Sequence, residues 1–257
     1  MFKTATRYIK HLLTARHTWG FGIHSPYMYK FAQYVVYEKN SYYIFERIEH
    51  FRKLLVHSDK KIAVTDFGTG VSSARNVSDI AIRAIKPARY AQLLYRIVNY
   101  AKATTILELG TSLGITTAYL ASVARQSRCV TMEGCPEIAN IAGENLRQLG
   151  LDNVTIVKGN IDENLHAVLE TFESIDFIFI DANHRYDAVM NYFNQCLNKI
   201  NANTIMVVDD IHWSDGMQQA WKEIQQHAAV TSTMDLFHSG IVFFNPDLNL
   251  KHYKLIF

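Results

Sequence analysis

The sequence predicts an α/β protein built on a doubly wound, mostly parallel sheet, and three observations carry that prediction. From residue 104 onward, short apolar segments rich in β-branched residues alternate with longer segments of helical periodicity. The apolar segments are nearly continuous, which is typical of parallel strands covered by helices on both faces. The first of them ends at Leu109 and passes through Gly110 and Gly114 into a helical pattern, as a strand, a tight turn and a helix would.

Each element of this sheet can be placed along the chain. We expect parallel strands at residues 104–109, 128–132, 153–157, 175–180 and 203–208. We expect helices between and after them at residues 115–125, 136–149, 162–172, 185–199 and 213–227. Two last strands, 232–237 and 240–245, are joined by so short a turn that they must pair antiparallel, as a C-terminal hairpin.

The chain before residue 76 is predicted to be an N-terminal helical segment, or lid, in front of a domain at 76–257. Its helical periodicity breaks between Gly20 and Pro26. The tyrosine- and phenylalanine-rich stretch 27–43 favours packing in the core, and an aromatic wall around a substrate is the alternative. Residues 61–75 contain DFGTG, which resembles a glycine-rich ligand loop. We interpret that stretch as a strand and a loop outside the site, because no long apolar helix follows directly.

Composition bounds the class of protein. The 257 residues are 49% hydrophobic and 19% charged, which describes a globular chain able to bury a full core. A formal net charge of +2 gives no strong attraction to nucleic acid or to a membrane. Three cysteines without metal spacing suit a reducing cytoplasm, and neither a transmembrane run nor a signal peptide is expected.

Polar residues follow every predicted parallel strand. Ligands of such sheets bind outside the carboxyl ends of the strands. One polar residue at a strand end generally caps the next helix, but so many carboxylates at one edge predict a binding site. The residues in question are Glu108, Gly110, Ser112, Gly114, Glu133, Gly134, Gly159, Asn160, Asp162, Asp181, Asn183, His184, Asp209, Asp210, His212 and Trp213.

Two of these carboxylates are informative about the ligand. Glu108 ends a buried strand, where a charge is costly without a partner, so we expect a ligand with donors or positive charge. Glu133 can accept two hydrogen bonds from a ribose diol, which fits nicotinamide dinucleotides as well as other nucleotide cofactors. The G-x-x-x-G spacing of Gly110 and Gly114 differs from the G-x-G-x-x-G of dinucleotide sites.

Five segments together resemble the motifs of class I S-adenosylmethionine-dependent methyltransferases. They are ILELGTSLG, TMEGCPEIANIAGENL, VTIVKGN, FIFIDANHRY and VVDDIHW. The resemblance runs from about Tyr90 to Phe244 and is greatest to the branch of catechol and caffeoyl-CoA O-methyltransferases. It implies a Rossmann-like domain, S-adenosylmethionine as cofactor and a small-molecule hydroxyl as methyl acceptor. It does not cover residues 1–75.

The same resemblance implies cofactor contacts in the first half of the sheet. Gly110, Ser112 and Gly114 would line the methionine end, and Glu133 would hold the ribose hydroxyls. Gln92 lies where the branch has a Gly-Gln pair near the cofactor, although Ala91 precedes it here.

Adenine contacts are implied after the next two strands. Gly134 and Cys135 would lie near the adenine. Asn160 and Ile161 would flank its ring, and Asp162 would reach its amino group. Asp181 also belongs to the implied cofactor contacts.

A divalent metal is implied by three acidic positions. Asp181, Asp209 and Asp210 correspond to the metal ligands of the branch, where the third is usually asparagine. Three neighbouring aspartates repel one another unless a cation joins them, and Mg²⁺ or Ca²⁺ prefers such oxygen ligands. The alternative is that Asp209 or Asp210 caps the helix that begins near Trp213.

His184 falls where the branch has a lysine that acts as general base. An imidazole accepts a proton near neutral pH more readily than a lysine does, so we predict His184 as the base, with Asp181 as a second catalytic residue. The alternative is a structural hydrogen bond between His184 and Tyr186.

Four functions are therefore weighed. The first is a small-molecule O-methyltransferase with or without a metal, and the second is a methyltransferase acting on tRNA or protein. The third is a nicotinamide-dependent oxidoreductase, against which the missing middle glycine and the VVDDIHW stretch count. The fourth is a non-catalytic cofactor-binding module. The sequence leaves open the acceptor and whether the chain forms a homo-oligomer.

Overall fold

The structure, a computed structural model, describes residues 2–65 and 72–257. The DFGTG stretch that the sequence places in a loop lies outside the described residues. The α-helices are α1 Phe2–Thr14, α2 Pro26–Phe31, α3 Tyr43–Val56, α4 Val77–Ala84, α5 Ala88–Ala101, α6 Ile115–Ala121, α7 Pro136–Gln148, α8 Ile161–Glu170, α9 Tyr186–Cys196 and α10 Asp215–Gln226. The strands are β1 Lys61–Thr65, β2 Ser72–Asn76, β3 Thr105–Leu109, β4 Arg128–Glu133, β5 Val154–Lys158, β6 Phe177–Ile180, β7 Ile205–Asp209, β8 Ser232–Asp235, β9 Ser239–Phe243 and β10 Lys251–Lys254.

The large sheet has eight strands in the order β10-β8-β9-β7-β6-β3-β4-β5. Strand β9 runs antiparallel to β7 and β8, while the pairs β3–β4, β4–β5, β6–β7 and β8–β10 are parallel. The predicted α/β class, with a mostly parallel sheet and a C-terminal antiparallel hairpin, is confirmed. From β3 to β9, every predicted strand and helix is present, with ends displaced by four residues at most.

Two elements differ from the prediction. Strand β2, with the sequence SSARN, was expected as a loop because of its serines and Arg75. It forms by backbone pairing with β1, with Val64 opposite Ser73. Strand β10, with the sequence KHYK, is short and mostly polar, so its pattern did not indicate a strand. It pairs in parallel with β8 and buries Tyr253.

The chain divides into two compact units. The middle unit is Asn40–Asn164, and the terminal unit combines Met1–Lys39 with Leu165–Phe257. The proposed boundary at residue 75, between a helical lid and a domain at 76–257, stays a prediction. None of the helices among the described residues is long and apolar enough to cross a membrane.

Within the terminal unit, the N-terminal segment is joined to the C-terminal strand. The backbone N–H of His17 donates to the Lys254 carbonyl at 3.1 Å, and the Lys254 N–H donates to His17 Nδ1 at 3.1 Å. Phe31 is fully buried and meets Phe243 of β9 edge to face at 5.0 Å between ring centroids. The aromatic stretch 27–43 therefore contributes to a core, although Tyr34 is exposed.

Candidate functional site

The turn after β3 is held to the end of β4 by one carboxylate. Glu133 Oε2 accepts the backbone N–H of Ser112 at 2.8 Å, and Oε1 accepts that of Cys135 at 3.0 Å. Gly110 and Ser112 have positive φ angles of 107° and 49°, so the turn is tightly wound. The structure thus brings together three residues that were assigned to the cofactor from the sequence, in one hydrogen-bonded arrangement.

Gly114 is required by packing as well as by backbone conformation. Its φ is +80°, and an added Cβ would lie 3.2 Å from the Cβ and 3.3 Å from the Cα of Ala142 in α7. The sequence-based reason for this glycine was the approach of a ligand to the backbone. The contact that the structure shows is with α7, which packs directly against the first turn of α6.

Glu108 has protein partners, where a ligand was expected to supply them. It is fully buried, and its Oε2 accepts hydrogen bonds from the hydroxyls of Thr117 and Thr131, the latter at 2.7 Å. Its Oε1 has no hydrogen-bond partner among the described residues. Burial raises the pKa of Glu108 to about 7, against the opposing effect of the two threonines.

The two threonines were missed from the sequence. The available signal was a hydroxyl-bearing residue within an otherwise apolar run, in ITTAYL for Thr117 and in CVTM for Thr131. Thr131 also shares a hydrogen bond of 2.6 Å with Thr111. Such hydroxyls satisfy a buried carboxylate only in part, because each supplies one donor.

Glu133 keeps hydrogen-bonding capacity for a ligand. Burial raises its pKa, while the N–H groups of Cys135, Ser112 and Gly134 favour its charged form. A carboxylate has about four lone-pair positions, so these backbone donors do not exhaust it. At least one lone-pair position therefore remains able to accept a hydroxyl group of a ligand.

The segment after β5 lies beside Glu133. The Gly159 N–H donates to the Glu133 carbonyl at 2.9 Å. Asn160 Oδ1 accepts the N–H of Asp162 at 3.1 Å at the start of α8, while Ile161 is buried and Asp162 is exposed. The structure thus places the residues implied for the adenine in the same unit as Glu133, directly after the Gly159 that bonds its backbone.

Cys135 and Gln92 complete the described cofactor candidates. Cys135 is buried as the residue before α7, and its Sγ lies 3.4 Å from the Glu137 carboxylate. Gln92 hydrogen-bonds the hydroxyl of Tyr119, which donates to Glu49 at 2.7 Å. This bond to Tyr119 gives Gln92 a structural partner, and its role toward a cofactor stays a prediction.

In the terminal unit, His184 lies between two of the predicted aspartates. Its Nε2 is 3.7 Å from Asp181 Oδ1, and its Nδ1 is 3.8 Å from Asp210 Oδ2. Asn183, His184 and Asp210 have positive φ angles of 68°, 33° and 52°. Left-handed conformations of such residues cost free energy and are common at functional sites.

Sequence analysis left two structural alternatives: Asp209 or Asp210 as the cap of α10, and a hydrogen bond between His184 and Tyr186. The structure shows other partners in both places. Ser214 caps α10, because its Oγ accepts the Met217 N–H at 3.0 Å. The Tyr186 hydroxyl donates to Glu223 at 2.7 Å, which leaves His184 with the two aspartates.

Asp209 differs from the other two acids. It is buried at the end of β7, and its Oδ1 accepts the Ser239 hydroxyl at 2.6 Å. Among the described residues, Asp181, Asp209 and Asp210 do not form a group of ligand atoms within 4.8 Å of one another. Metal binding by these aspartates stays a prediction.

Two features of the chain match known proteins: its central segment matches a family model, and its fold matches solved structures. Residues 107–211 match the family Methyltransf_24, which is described as a methyltransferase domain. A search of curated protein sequences found no match.

Several solved structures share the fold. The O-methyltransferase TomG from Streptomyces achromogenes, solved with S-adenosylmethionine, is 21% identical, with a TM-score of 0.56 over 63% of this chain and 82% of that one. An O-methyltransferase from Bacillus cereus, solved with S-adenosylhomocysteine, is 20% identical, with a TM-score of 0.57 over 83% and 96%. A candidate caffeoyl-CoA O-methyltransferase from Staphylococcus aureus is 16% identical, with a TM-score of 0.59 over 85% and 98%. The resemblance to class I S-adenosylmethionine-dependent methyltransferases is therefore confirmed, as a methyltransferase-domain match at residues 107–211 within a chain that has the fold of O-methyltransferases.

Proposed function

We propose that the protein is an S-adenosylmethionine-dependent O-methyltransferase that acts on a small-molecule hydroxyl. The observation that carries the proposal is the arrangement of Ser112, Glu133 and Cys135, in which one carboxylate holds two turns and keeps acceptor capacity. The methyltransferase-domain match covers this arrangement.

The residues of the middle unit suit this cofactor. Glu133 would accept the ribose hydroxyls, and the turn from Gly110 to Gly114 would accommodate the methionine end. Glu108 has a buried oxygen without a partner, and a donor of the ligand would satisfy it. The cofactor supplies an activated sulfonium methyl group, so the protein has to hold the acceptor and remove a proton. Alignment of the reacting groups can lower the barrier by about 7–11 kcal/mol.

His184 is the proposed general base. Neutral imidazole would accept the proton of the acceptor hydroxyl, and the carboxylates of Asp181 and Asp210 would stabilise the imidazolium that forms. Their positions on either side of the ring support this role.

We also propose that Mg²⁺ or Ca²⁺ assists the reaction. The carboxylates of Asp181 and Asp210 have the oxygen chemistry that these ions prefer, with Asp209 as the third predicted ligand. Such an ion would orient the hydroxyl and lower its pKa. If the ion takes part, exhaustive chelation should abolish transfer and added Mg²⁺ should restore it.

A methyl-transfer assay tests the function. Purified protein would be incubated with methyl-labelled S-adenosylmethionine and a panel of catechols and other phenols, with and without Mg²⁺. We expect labelled ether products that depend on His184. Transfer to bulk tRNA or to protein instead would favour the larger-substrate alternative, and cofactor binding without any turnover would favour a non-catalytic module.

A further inference from the structure

Three side chains in the terminal unit, none of them proposed above to act in methyl transfer, converge on one another. His11 lies on α1, His212 follows β7, and Asp235 ends β8. One ligand atom from each lies within 4.8 Å of the others, and no other group of three or more histidines, cysteines and acids in the described part of the chain meets this criterion. His11 and Asp235 are 3% and 4% exposed.

The hydrogen bonds of His11 leave one of its nitrogens without a partner. Its Nε2 lies 2.9 Å from the Leu255 carbonyl, which can only accept, so Nε2 carries the hydrogen. Nδ1 then presents a lone pair toward Asp235 Oδ1 at 3.4 Å. It makes no hydrogen bond among the described residues. Asp235 Oδ1 accepts the backbone N–H of Phe237 at 2.9 Å, and a cation between Nδ1 and Oδ1 would offset the repulsion of these two facing acceptors.

A proton alone fits this gap poorly. A charge-assisted N–H···O bond is generally about 2.7–2.9 Å long, and the Nδ1-to-Oδ1 distance here is 3.4 Å. By contrast, tetrahedral Zn²⁺ with ligand bonds of about 2.0–2.1 Å separates its ligand atoms by about 3.3 Å. The two distances from the imidazoles to Asp235 are 3.4 Å for His11 and 3.0 Å for His212.

His212 can present a free nitrogen to the same point. Its Nε2 faces Asp235 Oδ2 at 3.0 Å, and its Nδ1 lies 3.0 Å from the side-chain nitrogen of Gln218, an amide that can be turned to present its oxygen instead. A carboxamide offers both a donor and an acceptor. With its oxygen toward His212, Gln218 would accept from Nδ1–H and leave the Nε2 lone pair free for a metal, as partners of metal-bound histidines do.

We propose that His11, His212 and Asp235 bind a Zn²⁺ ion. Two imidazoles and one carboxylate suit Zn²⁺, whereas Mg²⁺ and Ca²⁺ prefer all-oxygen sites such as the one proposed at Asp181 and Asp210. The carbonyl of Leu255 holds His11 in the tautomer that a ligand needs. Three protein ligands leave a fourth position for water or another small ligand.

The proposed ion would connect three separate elements of the terminal unit. It would join helix α1 to the loop after β7 and to the end of β8. Arg7 of the same helix already donates to the His212 carbonyl at 3.0 Å. The ion would therefore help to hold the N-terminal helix in place, and its binding can be measured without an assay of methyl transfer.

Metal titration of the dialysed full-length protein tests the site. In competition with a chromophoric chelator, we expect the protein to bind one Zn²⁺ per chain. When Co²⁺ replaces Zn²⁺, we expect the visible absorption bands that are typical of tetrahedral Co²⁺. Asp235→Asn keeps the shape of the side chain and should weaken Zn²⁺ binding by at least about 10–100-fold, since loss of even an outer partner costs that much. His11→Ala should do the same, and Gln218→Ala should weaken binding by about 10–100-fold.

His17→Gln is the matched control. His17 belongs to the same N-terminal segment and has its own backbone partner in Lys254, so its replacement should leave Zn²⁺ affinity unchanged. No stoichiometric binding of Zn²⁺ by the wild type would overturn the proposal. Wild-type affinity in Asp235→Asn would overturn it as well, and either result is obtained without any assay of methyl transfer.

Discussion

The backbone N–H of Ser112 donates to the side chain of Glu133 across 2.8 Å, which joins the turn after β3 to the end of β4. Because the same carboxylate accepts from Cys135, its position is fixed before any ligand arrives. A preorganised acceptor of this kind lowers the cost of ordering a ligand. The candidate cofactor site therefore depends on the carboxylate of Glu133.

Gly114→Ala should destabilise the protein by about 1–3 kcal/mol, which combines left-handed strain with a close contact. The strain follows from a φ of +80°, and the contact is with Ala142 at 3.2 Å. Gly143→Ala is the matched control, because its Cβ would meet only Ile156 at 3.7 Å. It should stabilise helix α7 by up to about 1 kcal/mol. Urea denaturation gives the free energy of unfolding of both variants. Equal changes in Gly114→Ala and Gly143→Ala would contradict this account of Gly114.

Glu108→Gln should change how stability depends on pH. Burial raises the folded-state pKa of Glu108 from its ordinary value of 4.5 to about 7. The folded state therefore favours the protonated carboxyl group. The buried charge lowers the free energy of unfolding by its full amount above pH 7, by less as pH drops below 7, and not at all below pH 4.5. That full amount is about 3 kcal/mol.

The measurement is the thermal melting of the wild type and Glu108→Gln between pH 4.5 and 8. Relative to the wild type, the variant should gain stability steadily as pH rises to 7 and then level off. A difference that stays constant with pH would mean that Glu108 does not titrate as its burial implies.

His184→Ala should lower kcat by about 10²–10⁴, the usual effect of losing a general base. The wild-type rate should rise from acidic to neutral pH, because only the neutral imidazole accepts a proton. Affinity for S-adenosylhomocysteine should stay nearly unchanged, since His184 itself is not one of the cofactor candidates. His184→Lys should retain part of the activity with its pH profile moved upward. If the rate of His184→Ala depends on pH as the wild-type rate does, His184 has a structural role and is not the base.

The sequence predicted the regular elements well and the particular contacts less well. Strands such as β3 and β6 are apolar over their length, so their burial and direction follow from pattern alone. Strand β2 depends on pairing with β1, which no local pattern of SSARN reveals. The same limit applies to strand β10.

For the site residues too, the sequence predicted positions better than contacts. The sequence placed Glu133 at a strand end, and the structure adds its backbone donors. It could not identify Thr117 and Thr131 as the partners of Glu108, because these contacts join positions that the fold alone brings together. The cluster of His11, His212 and Asp235 spans more than two hundred residues of chain, and no spacing rule connects such positions.

Titration calorimetry with S-adenosylhomocysteine and NAD⁺ tests the central claim most directly. The wild type should bind S-adenosylhomocysteine with a micromolar Kd, or about −8 kcal/mol, and NAD⁺ weakly or not at all. Glu133→Gln should lose about 1.5–3 kcal/mol of that binding, the range of a charge-assisted hydrogen bond. Glu144→Gln, a change at a half-exposed carboxylate paired with Lys60, should match the wild type. Absence of S-adenosylhomocysteine binding by the wild type, or strong binding of NAD⁺, would contradict the methyltransferase account.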